Sequence, residues 1–236
     1  MSTHLIFYWY VASDGWHEIY DLHLKSLLMF AHKFDEVTFV IAKDDGLGNG
    51  YENLVAETVL KLYNIVPSAE FISYGNDKVL RESLYFRNEI ALKLDSFSSD
   101  ELVFFAHNKG VASTYVPKDE LDKWIKAMYY INLSDFQRIL GYFDNGSVCS
   151  VGTRKISNAR QWPFLKYKWH YSGTFMWFSP SRVLGMMRKN NDVVPKNDRY
   201  FTEGFLGSVV PDRQSIGLSD KEESVRKAFM SFYDEG

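Results

Sequence analysis

The chain has 236 residues, 46% of them hydrophobic and 24% charged, with a formal net charge of -3. That is the balance of an ordinary globular protein, which excludes disorder outside the ends and any global basic field for nucleic acid. A single cysteine, Cys149, excludes an intramolecular disulfide framework and a multi-cysteine zinc site, and no run approaches the roughly 20 apolar residues that span a bilayer; the expectation is one cytoplasmic domain over 1–236.

Leu5 to Val11 is a β-rich run ending in Ser13, Asp14 and Gly15, a strand followed by a turn. No basic stretch precedes it, so it reads as a first strand and not as a signal peptide. Trp16, Ile19, Tyr20, His23, Leu24, Leu27, Leu28 and Ala31 then recur at helical spacing up to Phe34, and His23, on the apolar stripe, is expected to be a satisfied core residue. A second strand over Val37 to Ala42 is closed by KDDGLGNG (43–50), with a helix over about 53–64 behind it. A third strand (70–74), a helix over about 83–97 and a fourth strand, LVFFA (102–106), complete the first half. Strands alternating with helices of ten or more residues imply right-handed crossovers and a parallel sheet covered on both faces.

Beyond Gly110 the rhythm changes. One or two helices fill 119–143, a short strand 147–152, and a loop carrying Arg154, Lys155, Arg160, Lys166 and Lys168 runs to Trp169. HYSGTFMWFSP (170–180) predicts a strand opened by a tight Ser172-Gly173 step, followed by a short helix over 181–189. DRYFTEGFLGS (198–208) and a charged helix over about 220–233 end the chain.

Ligands of open α/β sheets bind beyond the carboxyl ends of the strands. The candidate residues are therefore Tyr10 and Asp14 after the first strand, Asp44 and Asp45 after the second, and His107, Asn108 and Lys109 after the fourth. DDGLGNG matches neither a phosphate-binding P-loop nor GxGxxG. From the residues alone each tip reads equally as a solvated turn. The aromatic share of 17% falls in clusters that suit stacking on sugars or bases and core packing alike.

Order along the chain adds a resemblance. EVTFVIAKDDG (36–46), FRNEIALKL (86–94) and LVFFAHNKG (102–110) resemble, in that sequence, the acidic-tipped strand, the Arg-Asn helix and the metal-binding strand of the glycosyltransferase A fold, a mostly parallel Rossmann-like sheet flanked by helices. The departure is that His107-Asn108-Lys109 stands where Asp-x-Asp would be. In this the chain is similar to a less characterised group of polysaccharide-locus glycosyltransferases with His-x-Lys-Gly at that point. Those also carry a Trp and Met on the next helix, a HYSG-x-F-W-W strand and a late RY-x-x-E segment, here Trp124 and Met128, 170–177, and Arg199-Tyr200 with Glu203.

The resemblance implies a nucleotide-binding half (1–110) and an acceptor half (111–236). It implies a nucleotide diphosphate sugar as donor, such as a uridine diphosphate sugar, and leaves Mn²⁺ or Mg²⁺ open as a cofactor, with no metal ligand assigned. Arg87 would approach the donor; taken alone it reads as a helix residue pairing with Glu89 or Asp95. Lys109 and His107 would stabilise the leaving diphosphate, as an ammonium and an imidazole can. The residues themselves leave His107 open as a turn residue or as a metal ligand completed by distant carboxylates. Glu203 would be the general base, or in a retaining enzyme the carboxylate nearest the reacting carbon, with Asp198 the next candidate; as a residue it is equally an acid at a helix N-terminus. Trp169, His170, Tyr171, Ser172, Gly173 and Trp177 would line the acceptor side. The basic loop, by its own residues, reads first as a solvated face and otherwise as a contact for a lipid-linked or anionic glycan or the inner face of the membrane. The implied activity is sugar transfer to a cell-surface polysaccharide or lipopolysaccharide acceptor. The alternatives are a catalytically silent glycan- or nucleotide-binding module on the same fold, and a nucleotidyltransferase or metal-assisted phosphohydrolase on a similar sheet.

Overall fold

A strand that is apolar over most of its length has no face to turn to water, and here such strands occupy the middle of the sheet. The computed structural model describes residues 1–14, 18–45, 47–108, 117–157, 167–171, 173–190 and 200–218. The first half supplies β1 (Ser2–Tyr10), β2 (Glu36–Lys43), β3 (Glu70–Gly75) and β4 (Glu101–His107). The second supplies β5 (Ser150–Thr153), β6 (Lys155–Ser157), β7 (Trp169–Tyr171), β8 (Met176–Phe178) and β9 (Ser215–Leu218). Seven of these form one sheet in the order β3-β2-β1-β4-β8-β5-β9, in which every strand points the same way except β8. The other two, β6 and β7, pair antiparallel as a separate ribbon. The expected α/β class, a mostly parallel sheet flanked by helices, is what the chain adopts.

Alternation along the strands feeds two cores. Phe7 and Trp9 of β1, Phe39 of β2 and Phe104 of β4 face one side. There they meet α1 (Glu18–Phe30), α2 (Asn49–Ile65), α4 (Lys118–Leu133) and α5 (Phe136–Asp144) through residues such as Leu27, Leu62, Tyr129 and Phe143. Ile6, Tyr8, Val103 and Phe105 face the other side. That core is closed by α3 (Glu82–Tyr85) with the π-helical turn Phe86–Ala91 behind it, by α6 (Pro180–Asn190) and by α7 (Phe201–Val209). His23 is buried in the first core, as its place on the stripe implied, with Nδ1 2.8 Å from the Tyr129 hydroxyl. Cys149 is buried in the second, where burial pushes its thiol pKa up.

Two expectations are corrected. The helix over 83–97 is not continuous: α3 is one turn, it widens into the π turn, and a separate 3-10 turn covers Leu94–Ser96. The wider turn lets Phe86, Ile90 and Ala91 all enter the same core. Nor is 170–180 one strand. It divides into β7 and β8, which lie in different sheets, because Gly173 (φ 104°) and Thr174 (φ 60°) reverse the path between them. The helix expected over 220–233 lies outside the described residues. No helix among the described residues is long and apolar enough to cross a membrane.

Candidate functional site

At the carboxyl edge, the end of β4 is tied to β1 by a side chain standing in for backbone. The Tyr10 N–H donates to Asn108 Oδ1 (2.9 Å), and Asn108 Nδ2 donates to the Tyr10 carbonyl (2.7 Å), just past the last main-chain bond, Asn108 N–H to Tyr8 O (3.2 Å). Asn108 thus builds the tip, with both ends of its amide engaged there.

Beside it, β2 delivers two aspartates in opposite senses, as strand alternation requires. Asp44 is buried. Its Oδ2 accepts from the Tyr10 hydroxyl (3.1 Å), its Oδ1 from Asn76 Nδ2 (2.7 Å), and its N–H donates to the Tyr51 hydroxyl (2.9 Å). Asp45 is exposed beside Gly75, as is Asp14 beyond β1. Burial, and then the Asp44 carboxylate, push the Tyr10 phenol pKa up. Burial and then Glu82 do the same to Tyr8. These phenols stay protonated and serve as hydrogen-bond donors.

His107, the last residue of β4 and the register partner of Tyr8, is only 8% exposed. Its Nδ1 lies 3.7 Å from Glu82 Oε1 on α3, its ring meets Phe175 edge-on at 6.5 Å, and its Nε2 is buried with no hydrogen-bond partner among the described residues. Arg87, on the π turn, donates from Nη1 to Asn88 (3.2 Å), and its Nε is likewise buried and unpartnered. Leaving a buried polar group unsatisfied costs about 1–3 kcal/mol, so such atoms call for an explanation. Lys109 lies outside the described residues.

The second half brings Glu203 to the same edge, in the first turn of α7, where its Oε1 accepts from the Gly173 N–H (3.3 Å). Glycines make this approach possible. A Cβ at Gly207 would lie 1.6 Å from the Trp169 carbonyl oxygen, and one at Gly173 only 2.8 Å from Trp124 and 2.9 Å from Met128. Trp124 and Met128 therefore pack against the HYSG turn. Next to Gly173, Thr174 combines a left-handed backbone with a buried, unpartnered hydroxyl, the kind of strain that collects at functional sites. His170 is buried; burial lowers its pKa from 6.5, with Glu203 pulling the other way. Ser83 and Thr202 clasp α3 to α7, hydroxyl to hydroxyl at 3.0 Å and Thr202 N–H to Ser83 Oγ at 3.3 Å. Glu82 and Glu203 flank that clasp, each next to a buried histidine.

The acceptor-side aromatics need correcting. Trp169, Tyr171 and Trp177 are at most 1% exposed and satisfy themselves inside the protein. Trp169 Nε1 donates to Val210 O, Tyr171 OH to Ile216 O and Trp177 Nε1 to Asn132 O. None offers a ring face to a sugar. Ser172 lies outside the described residues, leaving His170 and Gly173 at the turn. In the basic loop Lys155 is also structural, donating to the carbonyls of Asp212 and Ser215 over the Trp169 ring. Arg154 and Lys168 are exposed, and Arg160 and Lys166 lie outside the described residues.

Tyr8, Asn76, Glu82 and Thr174 were not singled out by sequence reasoning. The run Tyr8-Trp9-Tyr10 held a signal for Tyr8 in its two-residue step to Tyr10; the other three become visible only in three dimensions. Among the described residues, one group of three ligand-type side chains lies within reach of a single ion: His4, Glu36 and Glu101, with ligand atoms within 4.8 Å of one another. These sit at the amino ends of β1, β2 and β4, the opposite edge of the sheet from Asp44 and Asn108.

No family model and no curated protein matches the chain. Among solved structures it is similar to the crystal structure of 4-diphosphocytidyl-2C-methyl-D-erythritol synthase, at 9% identity over 98% of this chain and 99% of that one, with a TM-score of 0.43. The α/β class rests on the sheet order itself and not on this likeness.

Proposed function

We propose that the chain is a one-domain glycosyltransferase that moves a sugar from a nucleotide diphosphate donor to a hydroxyl of a cell-surface polysaccharide or lipopolysaccharide acceptor. One observation carries the reading: at the carboxyl end of a central parallel strand, His107 holds a buried nitrogen with no hydrogen-bond partner among the described residues. A ligand that completes it regains what the free protein forfeits. Tyr10, Asp14, Asp44, Asp45 and Arg87 would bind the donor along the same edge; His170, Gly173 and Glu203 would meet the acceptor.

In the transfer, the bond between the anomeric carbon and the diphosphate oxygen breaks, and its electron pair leaves with the diphosphate. The acceptor oxygen bonds to that carbon and its proton goes to Glu203. Lys109 and His107 meet the charge that grows on the leaving oxygens. The described residues of the crevice do not fit Mn²⁺ or Mg²⁺, since the Asp-x-Asp position has no carboxylate, Asn108 is engaged with backbone, and the three-ligand group lies at the opposite edge. No step is routed through a metal. Exposed Arg154 and Lys168 would each add about 1 kcal/mol of attraction to the anionic inner face of a membrane carrying a lipid-linked acceptor.

A thermal-shift screen of nucleoside diphosphates and their sugars, in chelator and in Mn²⁺, tests this. Ligand at a hundred times its Kd stabilises by about 2.7 kcal/mol, which raises Tm by roughly 5–10 °C for a chain of this size. The expected result is a rise with one nucleotide sugar that persists in chelator. No rise with any nucleotide at millimolar concentration overturns the reading, and binding without transfer to any acceptor makes the chain a glycan- or nucleotide-binding module.

A further inference from the structure

We propose that Glu82 is a positioning residue for His107, accepting a hydrogen bond from its Nδ1–H and so turning Nε2 toward the diphosphate oxygens of the donor. The ligand class rests on the glycosyltransferase reading; the pairing itself does not.

The geometry of the two side chains carries the proposal. An imidazole with one nitrogen against a carboxylate has its other nitrogen fixed in direction, the logic by which an acid orients a histidine in hydrolytic triads. Here Glu82 Oε1 and His107 Nδ1 are 3.7 Å apart, both side chains at most 15% exposed, while Nε2 is buried and unpartnered. That distance is inside ion-pair range and outside hydrogen-bond range. A shift of about 0.8 Å closes it, and catalytic hydrogen bonds commonly tighten only in the complex. The backbone on either side of Glu82 is fixed: Ser83, the next residue, is clasped to Thr202, and Arg81 before it is left-handed at φ 51°.

Groups on the neighbouring elements do not take over this role. From β1, the adjoining Tyr8 points its hydroxyl at Asn76 Oδ1 (3.4 Å), with Tyr10 and Asp44 beyond it; from the β7–β8 turn, Phe175 offers only a ring. On α7, Glu203 is bonded to Gly173 and acts on His170. Glu82 is thus the carboxylate facing His107 among the described residues. When a diphosphate binds, Nε2 carries a proton and donates to it, with the negative Glu82 balancing the ring from behind.

Full-length protein labelled with ¹⁵N-histidine tests this without recourse to activity. At alkaline pH, where the rings are neutral, His107 is expected to carry its proton on Nδ1. In Glu82→Leu the proton should move to Nε2, and in Glu82→Gln, which keeps an acceptor oxygen, the parent tautomer should return. Amide spectra and Tm confirm that the variants fold; should Glu82→Leu fail to, Glu82→Gln and Glu82→Asp still report on the ring. An unchanged His107 tautomer in folded Glu82→Leu overturns the proposal, whatever the protein transfers. With a donor in hand, Glu82→Leu should lower kcat roughly tenfold to a hundredfold, the scale of a misplaced catalytic group, with little change in KM. In a His107→Gln background the same change should cost almost nothing further. A full loss in that background would mean that Glu82 acts independently of His107. If no sugar transfer is found but the tautomer switches, the pairing stands and the glycosyltransferase reading falls.

Discussion

Both ends of the parallel strands carry a histidine facing a glutamate, and the two pairs are finished in opposite ways. At the amino edge, His4 Nδ1 lies 3.0 Å from Glu101 Oε1 and its Nε2 2.8 Å from Thr38 Oγ1. Glu101 Oε2 in turn accepts from the N–H and hydroxyl of Ser98 at 3.0 and 3.1 Å. At the carboxyl edge, His107 stands 3.7 Å from Glu82, and its Nε2 has no hydrogen-bond partner among the described residues. The residue types are the same. What differs is closure: a network satisfied on every side contributes to folding, whereas one left open withholds stability that a ligand can return. Between these two histidine–glutamate pairs, then, closure and not residue type tells the edges apart.

The comparison can be broken by substitution. The largest effect is expected at Glu203→Gln, which keeps shape but cannot take a proton. It should lower kcat by about 10²–10⁴ with donor binding and Tm near the parent values, and transfer at more than about a tenth of the parent rate would pass the role to Asp198. Next is Glu101→Ala at the closed edge. Stripping one partner from a largely buried pair should cost about 3 kcal/mol in urea unfolding and leave donor affinity alone; weakened donor binding at intact stability would erase the distinction between the edges. Smaller again, Asp44→Asn removes the charge that Tyr10 and Asn76 hold in place. Titration calorimetry should show donor affinity falling about tenfold, the scale of one charged hydrogen bond, with a lesser loss for Asp45→Ala at the exposed neighbour.

The smallest effect concerns pH. Burial depresses the pKa of His170 below its ordinary 6.5, so between the depressed value and 6.5 the unfolded chain binds more protons than the folded one. Stability should therefore rise with pH across that window, level off above it, and be lost as pH falls through it. His170→Gln should flatten that limb of a Tm-against-pH curve, and a limb unchanged by the substitution would assign it to another group.

The first four strands were legible because each is an apolar run stopped by a polar tip, and their alternation with helices dictated the parallel order. The division of 170–180 was not, since the Ser172-Gly173 step reads as the opening of a single strand; the reversal resides in two positive φ angles, Gly173 and Thr174. Trp169, Tyr171 and Trp177 misled for a related reason: an aromatic side chain suits a core and a sugar equally, and only its neighbours decide. Asp44 and Asp45 are a tie in composition that strand alternation resolves. Glu82 looks like any acid at the start of a helix until tertiary structure sets it opposite a residue 25 positions later.

Asn108 carries a consequence for how such a crevice can diversify. Because its side chain completes the β1–β4 ladder, register is locked at that residue. Variation beyond Asn108 can then explore new ligand chemistry without disturbing the scaffold, in the way that grafted loops do on a fixed framework. A library randomised at 109–112 with Asn108 kept should be rich in folded members, and one randomised at 108 alone should not.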